Sequence, residues 1–209
     1  VTHYLRVIAV QLRVSAAAAM AYRADFVLEG VMSVFWLAWN LLPLMVLYGD
    51  RATVRGWDYP SALVLVACFI ALRAALEGVI SPSLVEVVAR IRNGAFDYVL
   101  LKPVDAQLLV SSLRFEPWKA IDLLGAIGLG AYAFHLRGHG PSAAELAAGL
   151  ALLVAGGLAM YALWLTCAAA SFWVVRLDNL TFLLGSLFDT ARWPVQVFRG
   201  AWRLIFTFV

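Results

Sequence analysis

The chain alternates long apolar runs with short polar interruptions, and run length carries the first inference. Residues 26–48 hold one charged side chain, Glu29, near their start. A helix needs about 20 apolar residues to cross hydrocarbon, because every backbone polar group must be satisfied within the segment. This run predicts a first span. Residues 49–60, GDRATVRGWDYP, hold two glycines, a proline and four charges, and predict a loop. Residues 61–80 predict a second span, with Arg73 and Glu77 inside it.

A polar stretch interrupts the pattern next. Residues 106–118 then read as amphipathic up to EPWK, where Pro117 should kink or break a helix. Residues 120–136, rich in glycine, predict a third span. Residues 137–145 predict a tight turn, with Ser142 and Glu145 spaced as a capping box for a fourth span running through Val175. Beyond it, an apolar run at 180–188 is interrupted by Asp189, Arg192 and Pro194, and another begins near Trp202. That broken pair predicts a fifth span followed by a re-entrant outer segment over residues 189–209. A further span is expected to be missing from this sequence. Residues 1–25, with Arg6, Arg13 and Arg23 around an alanine-rich stretch, predict an amphipathic cytoplasmic segment and no cleavable signal.

Composition fits this reading. Of 209 residues, 64% are hydrophobic and 14% charged, against about 45–50% and about 25% in soluble domains. The expected class is an all-α polytopic membrane protein, residues 1–209 forming one transmembrane domain, with membrane lipid as part of its solvent. No basic cluster interleaves with aromatics, so nucleic acid is not an expected partner. Cys68 and Cys167 lie in apolar runs and read as small buried residues. His3, His135 and His139 do not combine into a metal site, and no metal is expected. The Lys/Arg bias places the N-terminus in the cytoplasm: nine basic residues fall inside against six outside.

The interrupting stretch, ARIRNGAFDYVLLKPVD at residues 89–105, carries two arginines, a lysine, two aspartates and an Asn-Gly pair among apolar surroundings. As a helix, Leu84, Val85, Val88 and Ile91 line one side, while Glu86, Arg90 and Asn93 face elsewhere. Gly94 suits a helix stop in the left-handed conformation. A second short turn at 97–101 begins with Asp97 as N-cap and ends at Lys102 and Pro103. Two short helices bent at a glycine would lie under the membrane. On residues alone, they either tie two spans together or dock a partner.

The run IRNGAFDYVLLKPVD, set after the second span, resembles the permeases of the ABC-2 exporter class, in which a segment I-x-x-G-x-x-D-x-x-L-x-x-P occupies this place. Here those positions are Ile91, Gly94, Asp97, Leu100 and Pro103. The YRADF of residues 22–26 and the WPVQVFRGAWRLIFTFV of residues 193–209 are also similar to that branch. The resemblance implies about six spans, with a cytoplasmic coupling helix between the second and third, within residues 81–105. It implies docking on a separate cytoplasmic ATPase through Glu86, Arg90, Arg92, Gly94, Phe96, Asp97, Lys102 and Pro103. It also implies a homodimer, or a heterodimer with a second permease, in the plasma membrane. No G-x-x-x-x-G-K-S/T sequence occurs in the chain. This chain would therefore bind no cofactor and catalyse nothing, with ATP and Mg held by the partner ATPase. The expected function is export of an unidentified, amphipathic substrate.

Other residues keep two readings. Arg73 and Glu77, four apart in a span, either line a translocation path or form a structural ion pair. Trp36, Trp39 and Asn40 either face substrate or meet lipid and neighbouring helices. Small residues in the third and fourth spans predict close helix packing. The alternative function is a non-ABC channel or secondary transporter using Arg73 and Glu77 as its coupling pair.

Overall fold

The computed structural model describes residues 2–173, except Tyr22, Asp50, Ala52 and Arg55, together with Ser186 and Asp189. The fifth span and the re-entrant segment expected at the C-terminus lie outside the described residues, apart from those last two.

The apolar runs become helices. Helix α1 covers Thr2–Ala21 and α2 covers Arg23–Tyr48. Helices α3 (Tyr59–Ala75) and α4 (Ser81–Arg92) flank one π-helical turn, Leu76–Ile80. Short helices α5 (Asp97–Leu100) and α6 (Ala106–Ser111) lead to α7 (Lys119–Arg137) and α8 (Ala143–Ala170). In the loop before α3, Thr53–Val54 (β1) and Trp57–Asp58 (β2) form an antiparallel ladder, with Gly56 at φ 86° between them. The loop was expected, the ladder was not.

Among the described residues, four helical stretches are long and apolar enough to cross a membrane: Tyr4–Ala21, Ala24–Tyr48, Tyr59–Arg92 and Ala143–Ala170. The N-terminal segment, expected as a surface helix, is thus apolar enough to span. Its partners lie at the base of the bundle, however: Ser112 Oγ is 2.7 Å from Gln11 Oε1, and Phe115 N–H donates to Ser15 Oγ at 3.1 Å. Helix α7, expected as the third span, is not among the four. Lys119, Asp122, His135 and Arg137 interrupt its ends. The fourth helix stops at Ala170, short of the expected Val175, and its capping box forms. Ser142 N–H donates to Glu145 Oε2 at 2.7 Å, and Glu145 N–H to Ser142 Oγ at 3.2 Å.

The second span does not end where the polar stretch begins. From Tyr59 to Arg92 the chain is helical for 34 residues, about 50 Å at about 1.5 Å per residue. A bilayer core accounts for about 30 Å of that. Helix α4 therefore continues α3 as one helical run, where the sequence suggested a separate short helix.

Helices α3 and α7 pack along their lengths, with Leu63, Ala67, Ala126 and Ala133 buried. The start of α3 and the end of α7 are joined by Ser61, whose hydroxyl donates to Asp58 Oδ1 at 2.5 Å and accepts from Arg137. Gly125 faces the Leu37 side chain so closely that a Cβ there would sit 2.8 Å from Leu37 Cδ2. That absence of bulk lets α7 approach α2. Gly156 and Gly157 of α8 meet Leu72 in the same manner, at ordinary contact distance. The Ala147, Ala151, Ala155 and Ala159 face of α8 is instead exposed. A cluster around Leu76, Leu84, Val87, Val110, Trp164 and Ala168 forms the core at the lower end. Outward apolar side chains such as Val46, 75% exposed, and Leu152, 74% exposed, need lipid or protein as their solvent.

Candidate functional site

The π turn originates at Pro82. A proline inside a helix has no N–H to give the carbonyl four residues back, and its ring crowds that carbonyl. Here the residue four back is Gly78, and the helix widens around it: Ser81 N–H bonds Leu76 O, five residues away. The freed Gly78 carbonyl accepts Glu116 N–H at 2.9 Å. A Cβ on Gly78 would lie 3.1 Å from Lys119 Cβ, so glycine permits the start of α7 to sit against the turn. Next to it, fully buried Ser83 accepts Arg114 N–H at 3.1 Å. Its one proton serves either Arg114 O at 2.7 Å or Val79 O at 2.9 Å.

This contact brings charges together. Arg73 Nε donates to Glu77 Oε1 at 2.7 Å, and Arg73 Nη1 to Asp189 Oδ1 at 2.7 Å. Glu77 Oε2 accepts from Lys119 Nζ at 2.7 Å, and Lys119 also reaches Asp122 Oδ2 at 3.3 Å. The expected Arg73–Glu77 pair is therefore the middle of a five-residue chain of alternating charge. Lys119 and Asp122 were not expected in it. Asp189, one of the residues that interrupt the last apolar runs in the sequence, pairs with Arg73. Each residue has 18–43% of its side-chain surface exposed, so the network is neither dry nor at a free surface.

Two cavities flank the network. The first, about 500 Å³, lies between α2, α3 and the start of α7. Trp36, Trp39 and Asn40 line it together with Arg73, Lys119, Asp122 and Asp189, so two groups separate in sequence share one space. Asn40 Nδ2 donates to Trp36 O at 2.7 Å, which holds the amide along the wall. The second cavity, about 480 Å³, lies beside α4 and includes Glu77, Glu86, Arg114 and Glu116. Glu29 and Lys119 line both.

The segment expected to dock a partner is built from the other end of α4. Its inner face is Leu84, Val87, Val88 and Ile91, at the i, i+3, i+4, i+7 spacing of a helix. Val85, assigned to that face on sequence, is exposed and lines the second cavity. Arg90 Nε donates to Glu86 Oε1 at 2.9 Å, and Arg92 is exposed in the last turn. The chain then reverses at Gly94, with φ 72°. Phe96 N–H donates to Arg90 O at 3.1 Å. The Phe96 ring meets Phe172 edge-on at 5.6 Å, so Phe96 anchors the segment inward and is not an exposed contact. Asp97 is the first residue of α5, not its N-cap; Phe96 takes that position without a side-chain cap. Asp97, Lys102 and Pro103 are exposed. So are Tyr98 (71%), Leu100 (55%) and Leu101 (78%); on sequence only Leu100 of these was named, as a motif position and not as a contact, and of that run only Val99 is buried.

Comparison with curated proteins gives no match, and neither does comparison with solved structures. A family model does match, over residues 34–209, which takes in the ion network, the bent segment and the linings of both cavities except Glu29, Met32 and Ser33. Together with several helices apolar enough to cross a membrane, that match makes this chain a multi-pass membrane protein of transport, a member of the ABC-2 family transporter proteins.

Proposed function

We propose that the chain is the permease subunit of an ATP-driven exporter and that the segment from Arg92 to Val104 docks it on a separate cytoplasmic ATPase. One observation carries this reading. Tyr98, Leu100 and Leu101 stand exposed beside Asp97 and Lys102, while Phe96 and Val99 fix the segment from beneath. A rigid projection with apolar anchors and fixed charges suits a groove on a soluble protein. Being bent at Gly94 and carried on α4, it can pass motion along one continuous helical run to Glu77 and Arg73.

In this reading, ATP and Mg bind the ATPase, two permeases pair as a homodimer or with a related chain, and the network and its cavities lie on the substrate route. The bonds of α1 to Ser112 and Phe115, on the side of the docking segment, support an N-terminus in the cytoplasm. No observation favours the channel or secondary-transporter alternative.

The test is co-purification. The tagged chain should bring an ATPase with it in mild detergent, and Gly94→Pro with Asp97→Lys should lose the ATPase while the permease remains folded. Retention of both ATPase and transport after charge reversal across residues 90–102 would overturn the docking role.

A further inference from the structure

The first cavity has a chemistry that distinguishes classes of ligand. Its volume falls in the range of about 300–1,000 Å³ typical of small-molecule sites. Trp36, Trp39 and Phe69 supply aromatic surface, with Ser33 and Asn40 as polar points among them. Both cations at its edge are committed. Arg73 is held by Glu77 and Asp189, and Lys119 by Glu77 and Asp122. An entering anion would have to displace a carboxylate from one of them.

A cation meets the opposite situation. Glu29 lines the cavity and makes no ion pair among the described residues. Among the described residues, with the network it brings four carboxylates (Glu29, Glu77, Asp122, Asp189) against two cations, Arg73 and Lys119. The second cavity repeats the imbalance among the described residues: Glu29, Glu77 and Glu116 face Arg114 and Lys119, while Glu86 is paired with Arg90. Tryptophan faces also attract cations and provide apolar area for a ligand body.

We propose that the cavity between α2, α3 and α7 binds an organic cation with an apolar body, held by the Trp36 and Trp39 rings and the Glu29 carboxylate. The proposal rests on the permease reading and specifies its substrate class. It separates this chain from exporters of anionic lipids or glycans by charge alone.

The experiment uses the full chain with its co-purified ATPase in nanodiscs of neutral phosphatidylcholine, with empty nanodiscs subtracted. Tetraphenylphosphonium and the isosteric anion tetraphenylborate are the probes, followed by equilibrium dialysis. Tetraphenylphosphonium should bind saturably, with tetraphenylborate showing no saturable component. Glu29→Gln changes an exposed residue and should weaken cation binding tenfold or more, as should Trp36→Ala. Saturable binding of both probes alike, no saturable binding of either, or unchanged affinity in Glu29→Gln would overturn the proposal. Loss of the ATPase from the wild-type preparation would instead count against the permease reading, since cation binding by the chain is read independently.

Discussion

Replacing Lys119 by Met tests whether the ion network holds α7 to the π turn. Met keeps the apolar stem of the side chain and removes only the ammonium. Lys119 spans Glu77 at 2.7 Å and Asp122 at 3.3 Å, with side-chain exposures of 22%, 30% and 18%. Exposed pairs contribute about 0.2–1 kcal/mol, while stranding one member of a buried pair costs about 3–5 kcal/mol. The variant leaves Glu77 with Arg73 but leaves Asp122 without an ion pair among the described residues. At these exposures the loss should lie between the two limits, at about 2 kcal/mol. For a chain of this length that lowers Tm by about 4–8 °C. Glu77→Gln, which can still accept from one donor, should cost about 1 kcal/mol. The double variant should cost less than the two singles together by about 1 kcal/mol, because each single change already breaks the shared pair. Thermal unfolding of the four proteins in nanodiscs, followed by tryptophan fluorescence, gives all terms. A Lys119→Met Tm within 1 °C of wild type, or strict additivity of the two changes, refutes the network as a structural link.

Three further outcomes follow from the same region and its neighbours. Ser83→Ala strands the Arg114 N–H in a fully buried position and should cost about 1–3 kcal/mol, read in the same thermal assay. Gly94→Ala should cost about 1–2 kcal/mol from backbone strain alone, since φ is 72° and nothing lies within 4 Å of an added Cβ. Gly128→Ala, in α7 with equally open space and ordinary helical backbone, should instead stabilise by up to about 1 kcal/mol, so the two substitutions must shift Tm in opposite directions. Burial pushes the Glu116 carboxyl up from its ordinary value; Lys119 and Arg114 oppose the rise, and Glu77 and Glu29 add to it. The folded state therefore holds that proton more tightly than the unfolded state does. Its stabilising contribution is complete below the unfolded value, about pH 4.3, and is lost as pH rises through the folded value. A Tm series from pH 4 to pH 7 should show that loss, and Glu116→Gln should reduce it.

What was legible in the sequence depended on whether the cause was local. The capping box at Ser142 and the reversal at Gly94 each follow from a few adjacent residues, and each formed; the amphipathic stretch expected to run helical to Pro117 instead leaves the helix after Ser111. The inner face of α4 was read nearly in register. Val85 was placed inward because it is apolar, but the helical period selects Leu84, Val87, Val88 and Ile91. The partners of Arg73 and Glu77 could not be read in this way. Lys119 is 42 residues from Glu77 and Asp189 is 116 from Arg73, so only the fold brings them together. Trp36 and Asn40 were visible as one face of one helix, but not that Arg73 would form the opposite wall.

Pro82 was the signal most open to sequence reasoning and not used. A proline in the middle of a helical run marks the carbonyl four residues before it, and here that residue is a glycine, Gly78. Bulk there would have kept α7 away, and an intact α-helical hydrogen bond would have left Glu116 N–H without its partner. Proline and glycine together create a docking point inside a span, and Glu77, adjacent to it, is thereby turned toward Lys119. The same geometry explains why the charged cluster tolerates a membrane setting: every cation in it has two carboxylates within 3.3 Å. On the permease reading it would also couple the bent segment to the cavities, since one helical run joins them. A displacement of α4 acts on the π turn, which is the least regular point of the run, before it reaches Arg73. Restoring an ordinary helix there, with Pro82→Ala, should straighten the turn and withdraw Gly78 O from Glu116. On the proposed permease reading, the expected phenotype is a chain that still binds the ATPase but transports poorly. Normal transport by Pro82→Ala, with the ATPase bound, would show that the π turn is only a packing solution.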